Sequence, residues 1–154
     1  MRRYFEYRHF VTFADTNLVG NVYFANYLTW QGACRERFLA EHAPTVITAL
    51  ARELALVTVC CSCEYFSELY AMDEVSVRMS LAGIAANNIA MEFGYYRIGR
   101  GPAQLIARGT QTVACMTRRN GQLLPADIPS ELAGALASYA NGSAPAGTER
   151  TADA

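Results

Sequence analysis

The chain reads as an α+β fold in a single domain, and two observations carry that reading. A long stretch near the amino terminus has helical periodicity, and most of the remaining chain alternates as antiparallel strands do. At 154 residues there is length for one well-buried core and too little for two ordinary domains. The domain is expected over 1–140. From 141 to 154 the composition turns to Ser, Gly, Ala, Pro, Thr, Glu and Asp, as in a disordered tail.

The first element is a strand from Tyr4 to Phe13, with Phe5, Tyr7, His9, Val11 and Phe13 on one face and Glu6, Arg8 and Thr12 on the other. His9 thus falls on the more apolar face, where a satisfied core histidine is the expected outcome. The long helix runs from about Tyr23 to Ala40. At roughly 100° per residue Phe24, Leu28, Gln31, Arg35 and Phe38 share one stripe, with Tyr27 at its edge and Arg37 on the opposite side. His42-Ala43-Pro44 stops this helix, because the residue before proline is pushed out of the helical region. Thr45 is placed to cap a second short helix reaching about Leu54.

Further strands are expected at Leu56–Phe66, Glu74–Leu81, Asn88–Ile98 and Ala103–Thr117, giving about five in all. Val75, Val77, Met79 and Leu81 alternate inward, and Gly94 marks a bulge or a close approach. Gly99-Arg100-Gly101-Pro102 and Asn120-Gly121 are turns, Pro125 and Pro129 end sheet pairing, and Ser130–Tyr139 reads as a short terminal helix. A sheet of this length needs its apolar face covered, and wrapping the long helix does that. Nine tyrosines and seven phenylalanines leave enough aromatic surface to expect a symmetric homo-oligomer, a dimer of dimers.

A formal charge of −1 leaves no electrostatic footprint for nucleic acid. The chain has no run of about 20 apolar residues and no signal-peptide pattern, so no membrane association and a cytoplasmic location are expected. Cys34, Cys60, Cys61, Cys63 and Cys115 are odd in number, which argues against a disulfide framework. In a strand Cys61 and Cys63 face one way and Cys60 the other, and only His9 and His42 offer imidazole. Neither a metal nor a cofactor is expected, and the cysteines are read as small hydrophobes.

One residue breaks the pattern. Arg35 places a cation on a buried stripe, at a cost on the order of several kcal/mol unless it is paired or hydrogen-bonded. Such a cost is more easily understood if the residue does chemistry; the bland alternative is an ion pair with Glu64.

The stretch from Phe13 to Arg37, FADTNLVGNVYFANYLTWQGACRER, resembles the hotdog-fold thioesterases of the 4-hydroxybenzoyl-CoA thioesterase type. Asp15-Thr16-Asn17 stands for their Asp-x-Asp, Gly20 comes next, and Asn26-Tyr27 opens the helix. Asn17 replaces the catalytic aspartate, and an amide is neither a carboxylate nucleophile nor a base near neutral pH. With that change the chain is similar to the branch serving enediyne biosynthesis, which releases a linear polyene, usually a β-keto acid, from the acyl carrier domain of an iterative polyketide synthase.

The resemblance implies catalytic roles for Asn17, Tyr27 and Arg35. The helix start supplies the Phe24 backbone N–H as an oxyanion donor. Leu28, Gln31 and Phe38 are candidates for binding the acyl chain, and Glu64 is a candidate contributed by a neighbouring subunit. Arg2, Arg3, Arg97, Arg100, Arg118 and Arg119 are candidates for docking an acidic carrier domain. Two competing readings stand beside this one: an acyl-CoA thioesterase for small aromatic or fatty acyl groups, and a non-catalytic acyl-binding hotdog protein.

Overall fold

A computed structural model describes residues 3–141, so all but Asn141 of the disordered tail expected at 141–154, like Arg2, lies outside the described residues. In chain order the elements are β1 (Phe5–Phe10), α1 (Ala25–His42), α2 (Pro44–Leu50), β2 (Leu54–Tyr65), β3 (Glu74–Ala85), β4 (Asn88–Ile98), β5 (Gln104–Arg119), β6 (Gln122–Pro125) and α3 (Ser130–Ala137). All six strands join one antiparallel sheet in the order β1-β3-β4-β5-β2, and β6 pairs with the end of β5. β1 and β2 are therefore edge strands. No helix among the described residues is long and apolar enough to cross a membrane.

The sheet wraps α1. Tyr27, Trp30, Gln31, Cys34, Phe38 and Leu39 are the buried residues of that helix. They meet Val75, Val77 and Met79 of β3, Ile89, Met91, Phe93 and Tyr95 of β4, and Ile106, Val113 and Cys115 of β5. Period-two alternation turns these strand residues inward, as expected for β3 and β4. The buried arc of α1 is rotated from the expected stripe: Phe24 is 58% exposed, and Leu28 and Arg35 are half-buried. A curled sheet covers a wider arc than one stripe, which brings in Trp30, Cys34 and Leu39 on its other side.

Several boundaries differ from the sequence reading for local reasons. α1 continues to His42, and Pro44 then forces Ala43 out of the helical region (φ −142°, ψ 57°). Pro44 itself takes the first position of α2, where its fixed φ suits a helix, so Thr45 is not the cap. β1 ends at Phe10 because the Val11 N–H turns to the Asp73 carbonyl (2.9 Å). Asn120 (φ 50°) and Gly121 (φ 76°) form a primed hairpin turn that leads into β6. Pro125 is paired with Met116 as the last residue of that strand, so it ends the pairing one element later than expected. Cys60 and Cys61 are exposed on the edge strand β2 and are not packed hydrophobes; Cys34 and Cys115 are.

Two glycines allow close approaches. At Gly94 a Cβ would lie 2.8 Å from the Tyr96 ring, which folds over the bare backbone on the outer sheet face. At Gly109 a Cβ would lie 2.2 Å from Gln31 Nε2 and 2.7 Å from the Ser62 carbonyl. The missing side chain on β5 is what lets the Gln31 amide reach β2.

Between β1 and α1 the chain is fastened by Asp15. Its carboxylate accepts from the Thr12 N–H (2.9 Å) and from His9 Nε2 (2.8 Å), and its carbonyl accepts from the Tyr23 N–H (2.9 Å) and Asn26 Nδ2 (2.8 Å). The His9 ring also stacks on Trp30 at 4.7 Å, so it is the satisfied core histidine its strand position predicts. Burial opposes the charge on Asp15, but the Thr12 and His9 donors outweigh it and hold the carboxyl below its ordinary range.

Gly109→Ala is expected to lose about 1–3 kcal/mol in urea denaturation, the usual cost of overpacking; a variant as stable as the parent would show that the gap is dispensable. Because Asp15 has a depressed folded-state pKa, its contribution is present above the unfolded value of about 3.9 and is lost as pH falls through the folded value. Asp15→Asn should therefore be less stable at neutral pH and lose less further stability below about pH 4. Identical acid slopes for the two proteins would contradict this.

Candidate active site

The segment before α1 closes on itself. The Asn17 N–H donates to the Asn21 carbonyl (2.9 Å), the Gly20 N–H to the Asn17 carbonyl (3.0 Å), and Asn17 Oδ1 accepts from the Val19 N–H (3.0 Å). Gly20 has φ 93°, a conformation that favours glycine. Asn17 is thus a turn former, and its Nδ2 makes no hydrogen bond among the described residues. The loop is braced from outside: the Val22 N–H donates to the Leu69 carbonyl (2.8 Å) and Asn21 Nδ2 to Glu68 (3.0 Å). Asp73 anchors that second loop through ion pairs with Arg97 (3.2 Å) and Arg100 (3.3 Å). These two arginines, expected as docking candidates, brace this loop through Asp73.

At the start of α1 no side chain caps the free N–H groups. The Phe24 N–H has no acceptor among the described residues, while the Phe24 carbonyl accepts from the Tyr65 hydroxyl (2.9 Å). Burial pushes the Tyr65 phenol up to about 12, so it is a donor at neutral pH. An uncapped helix start of this kind, with its positive dipole end, seeks an acceptor or an anion. The Phe24 side chain, 58% exposed, does not join the interior stripe.

One turn on, Tyr27 is buried edge-on against Tyr65 (4.9 Å) and Tyr95 (5.3 Å). The Tyr95 hydroxyl donates to the Tyr27 carbonyl (2.7 Å). Burial raises the pKa of both Tyr27 and Tyr95, so both remain neutral phenols. Gln31 is fully buried; its Nε2 donates to the Ser62 carbonyl (3.0 Å), and its Oε1 has no partner.

Arg35 occupies the third turn. Its Nη1 donates to Gln111 Oε1 (2.8 Å), and its Nε is buried without a partner. Burial draws its pKa down, and no carboxylate among the described residues pairs with it. Around it is a narrow apolar cleft whose walls include Phe38, Leu56, Met91, Val113 and Leu136. Arginine remains charged even with such a shift, so the cleft holds a cation with no counter-ion.

The structure brings Tyr27, Gln31, Arg35 and Phe38 onto the interior side of α1 and puts Asn17 and the Phe24 N–H at its start. Glu64 goes elsewhere. Its register partner is Arg108, next to Cys63 opposite Gly109, so alternation sends it to the outer sheet face. There it joins Arg78, Glu92 and Arg108 around a groove of about 660 Å³, and the ion pair with Arg35 does not form. Leu28 is half-buried at the flank of the helix. Two residues escaped the sequence reading. Gln111 is a polar side chain at an inward position of β5, detectable by the same parity that exposed Arg35. Tyr65, at the end of a long strand, carries no such signal.

One separation constrains the chemistry. Eleven residues at about 1.5 Å each put the Arg35 backbone roughly 16 Å beyond Phe24 along α1. Even with the side chain leaning back toward the helix start, the Phe24 N–H and the Arg35 guanidinium of one chain stand well apart.

A family profile described as the thioesterase-like superfamily matches residues 11–136. Among solved structures, the dynemicin thioesterase is 55% identical, with a TM-score of 0.86 over 89% of this chain and 97% of that one. A 1,4-dihydroxy-2-naphthoyl-CoA thioesterase from Synechocystis is 23% identical, with a TM-score of 0.75 over 87% of this chain and 96% of that one. The 4-hydroxybenzoyl-CoA thioesterase from Pseudomonas sp. strain CBS-3 is 16% identical, with a TM-score of 0.73 over 86% of this chain and 99% of that one. No curated protein matches significantly. The last two likenesses speak for the fold alone. The profile match and the 55% identity place the chain in the thioesterase-like superfamily, as a hotdog-fold thioester hydrolase.

Proposed function

We propose that this enzyme hydrolyses the thioester joining a β-keto polyene chain to the carrier domain of an iterative enediyne polyketide synthase, in the cytoplasm and without a catalytic carboxylate. The observation that carries the reading is Arg35, a cation without a counter-ion in an apolar cleft on the helix that bears the uncapped Phe24 N–H. The 55% identical dynemicin thioesterase, whose crystal structures concern induced-fit and allosteric effects upon polyene binding, supports the choice of acyl chain.

Water attacks the thioester carbon, and the oxyanion is met by the Phe24 N–H and the helix dipole. The C–S bond then breaks, and the proton lost by the attacking water passes through solvent to the leaving sulfur, giving the free acid and the carrier thiol. Asn17 Nδ2 donates to the carbonyl or steadies the water. An amide cannot accept the water's proton, so the electron-withdrawing β-keto group supplies the reactivity that a carboxylate base supplies elsewhere. Arg35 holds the β-keto oxygen and the charge that develops on it, with Tyr27 packed alongside. Gln31, Leu28 and Phe38 contact the acyl chain.

The separation along α1 supports a shared site, with Asn17 and the Phe24 N–H from one copy and Arg35 from another. Two surfaces support a homo-oligomer. β2 is an open edge strand of 12 residues that leaves backbone groups free for pairing. Around the helix start Phe13, Leu18, Val19, Tyr23, Phe66 and Met72 form an exposed apolar collar. Arg35, tethered to β5 next to β2, lies toward that edge. A dimer of dimers is the expected assembly.

Arg35→Ala should slow acyl release from polyene-loaded synthase more than tenfold, about 1.4 kcal/mol of barrier; an unchanged rate in a folded variant removes Arg35 from the mechanism. Faster turnover of simple aromatic acyl-CoAs than of the loaded synthase would favour a small-acyl enzyme. Arg35→Ala and Asn17→Ala chains, each impaired alone, should regain activity when co-expressed in one oligomer. Absence of recovery in verified mixed oligomers would place both residues in the same chain's site.

A further inference from the structure

We infer that Gln111 is a positioning residue for Arg35: a neutral tether that aims the guanidinium while leaving its charge uncancelled. The inference rests on Arg35 acting in thioester hydrolysis and goes beyond it, because Gln111 touches no reacting atom.

Buried cations are ordinarily paired with carboxylates, which cancel the charge they steady. Here the acceptor is an amide oxygen at 2.8 Å. Gln111 is 6% exposed, so its side chain has little freedom to relocate. On β5 it stands between inward-facing Gly109 and Val113, with Met91 opposite on β4 and Cys61 opposite on β2. A single hydrogen bond from Nη1 leaves the buried Nε facing the interior without a partner. That arrangement suits a group waiting for an anionic oxygen. A glutamate of the same length would make the same contact but neutralise it.

The charged or titratable groups near this pair are few. From α1 they are Arg35 itself, Glu36, which is exposed, and the buried Cys34. β2 offers Cys61, and β5 offers Cys115 two residues beyond Val113. From α3 comes Glu131, whose Oε2 is buried without a partner yet makes no ion pair with Arg35. β4 contributes only Ile89 and Met91 to the cleft. None is a carboxylate in contact with the guanidinium.

The test is Gln111→Glu, assayed by thiol release from a 3-oxodecanoyl thioester of N-acetylcysteamine, with kcat and KM compared with wild type at pH 8. The guanidinium holds the introduced carboxylate ionised, so the pair cancels and kcat should fall at least tenfold with KM nearly unchanged. A kcat within threefold of wild type, or a loss carried by KM instead, overturns the proposal. Should that variant not fold, Gln111→Leu suits the apolar cleft and is expected to lose at least tenfold in kcat at constant KM; an unchanged kcat overturns the idea equally. Arg35→Ala distinguishes the two roles. If it leaves turnover intact, the role of Arg35 fails; if it cripples turnover while Gln111→Glu behaves as wild type, only the tether fails. In an Arg35→Ala background, Gln111→Glu should have no further effect, because it acts through the guanidinium.

Discussion

A half-buried guanidinium walled by hydrocarbon and held by one neutral oxygen is the constraint around which this molecule is arranged. Taking such a cation out of water is costly, and an interior carboxylate would offset much of that cost. Among the described residues the fold supplies no such partner. Arg35 receives an amide oxygen from Gln111, its Nε is left without an acceptor, and the walls include Phe38, Leu56 and Val113. The charge is kept available, and holding it requires that α1 be pressed closely against β5.

That closeness depends on absences as much as on contacts. Gly109 lacks the Cβ that would collide with Gln31, so the Gln31 amide crosses the face of β5 to the Ser62 carbonyl and ties the helix to an edge strand. Burial raises the Tyr95 phenol, and its hydroxyl donates to the Tyr27 carbonyl. Tyr27 packs on Tyr65, which grips the Phe24 carbonyl at the first turn. An aromatic track therefore runs from the uncapped helix start through Tyr65 and Tyr27 to Tyr95, and stops short of the Arg35 guanidinium, which is held separately by Gln111.

Much of this is legible in the residues because it is periodic. Strand alternation places Val75, Val77 and Met79 in the core, and helical spacing singles out Arg35 as a cation on an inward arc. Errors arise where periodicity is silent. Glu64 reads as central because its strand is long, but β2 is an edge with a register shift between Thr58 and Cys60, and parity sends Glu64 outward. β6 has four exposed residues and no alternation, so only its Asn120-Gly121 turn announces it. Arg97 and Arg100 look like free surface charge because their partner, Asp73, is distant in sequence and buried. Gln111 obeys the same rule as Arg35 and escapes notice for lack of charge.

The geometry of α1 has one more consequence. A helix can offer an oxyanion donor only at its start, whereas an interior cation needs several turns of burial around it. The two demands pull their residues apart by roughly 16 Å when both are met on one helix. In the proposed reaction the substrate's two oxygens cannot span that distance, and the proposed pairing of two copies about a two-fold axis resolves the conflict by setting the start of one helix beside the middle of its neighbour. The exposed collar of Phe13, Leu18 and Val19 and the unpaired edge of β2 are then parts of the same solution, costly in an isolated chain and accounted for in a shared one.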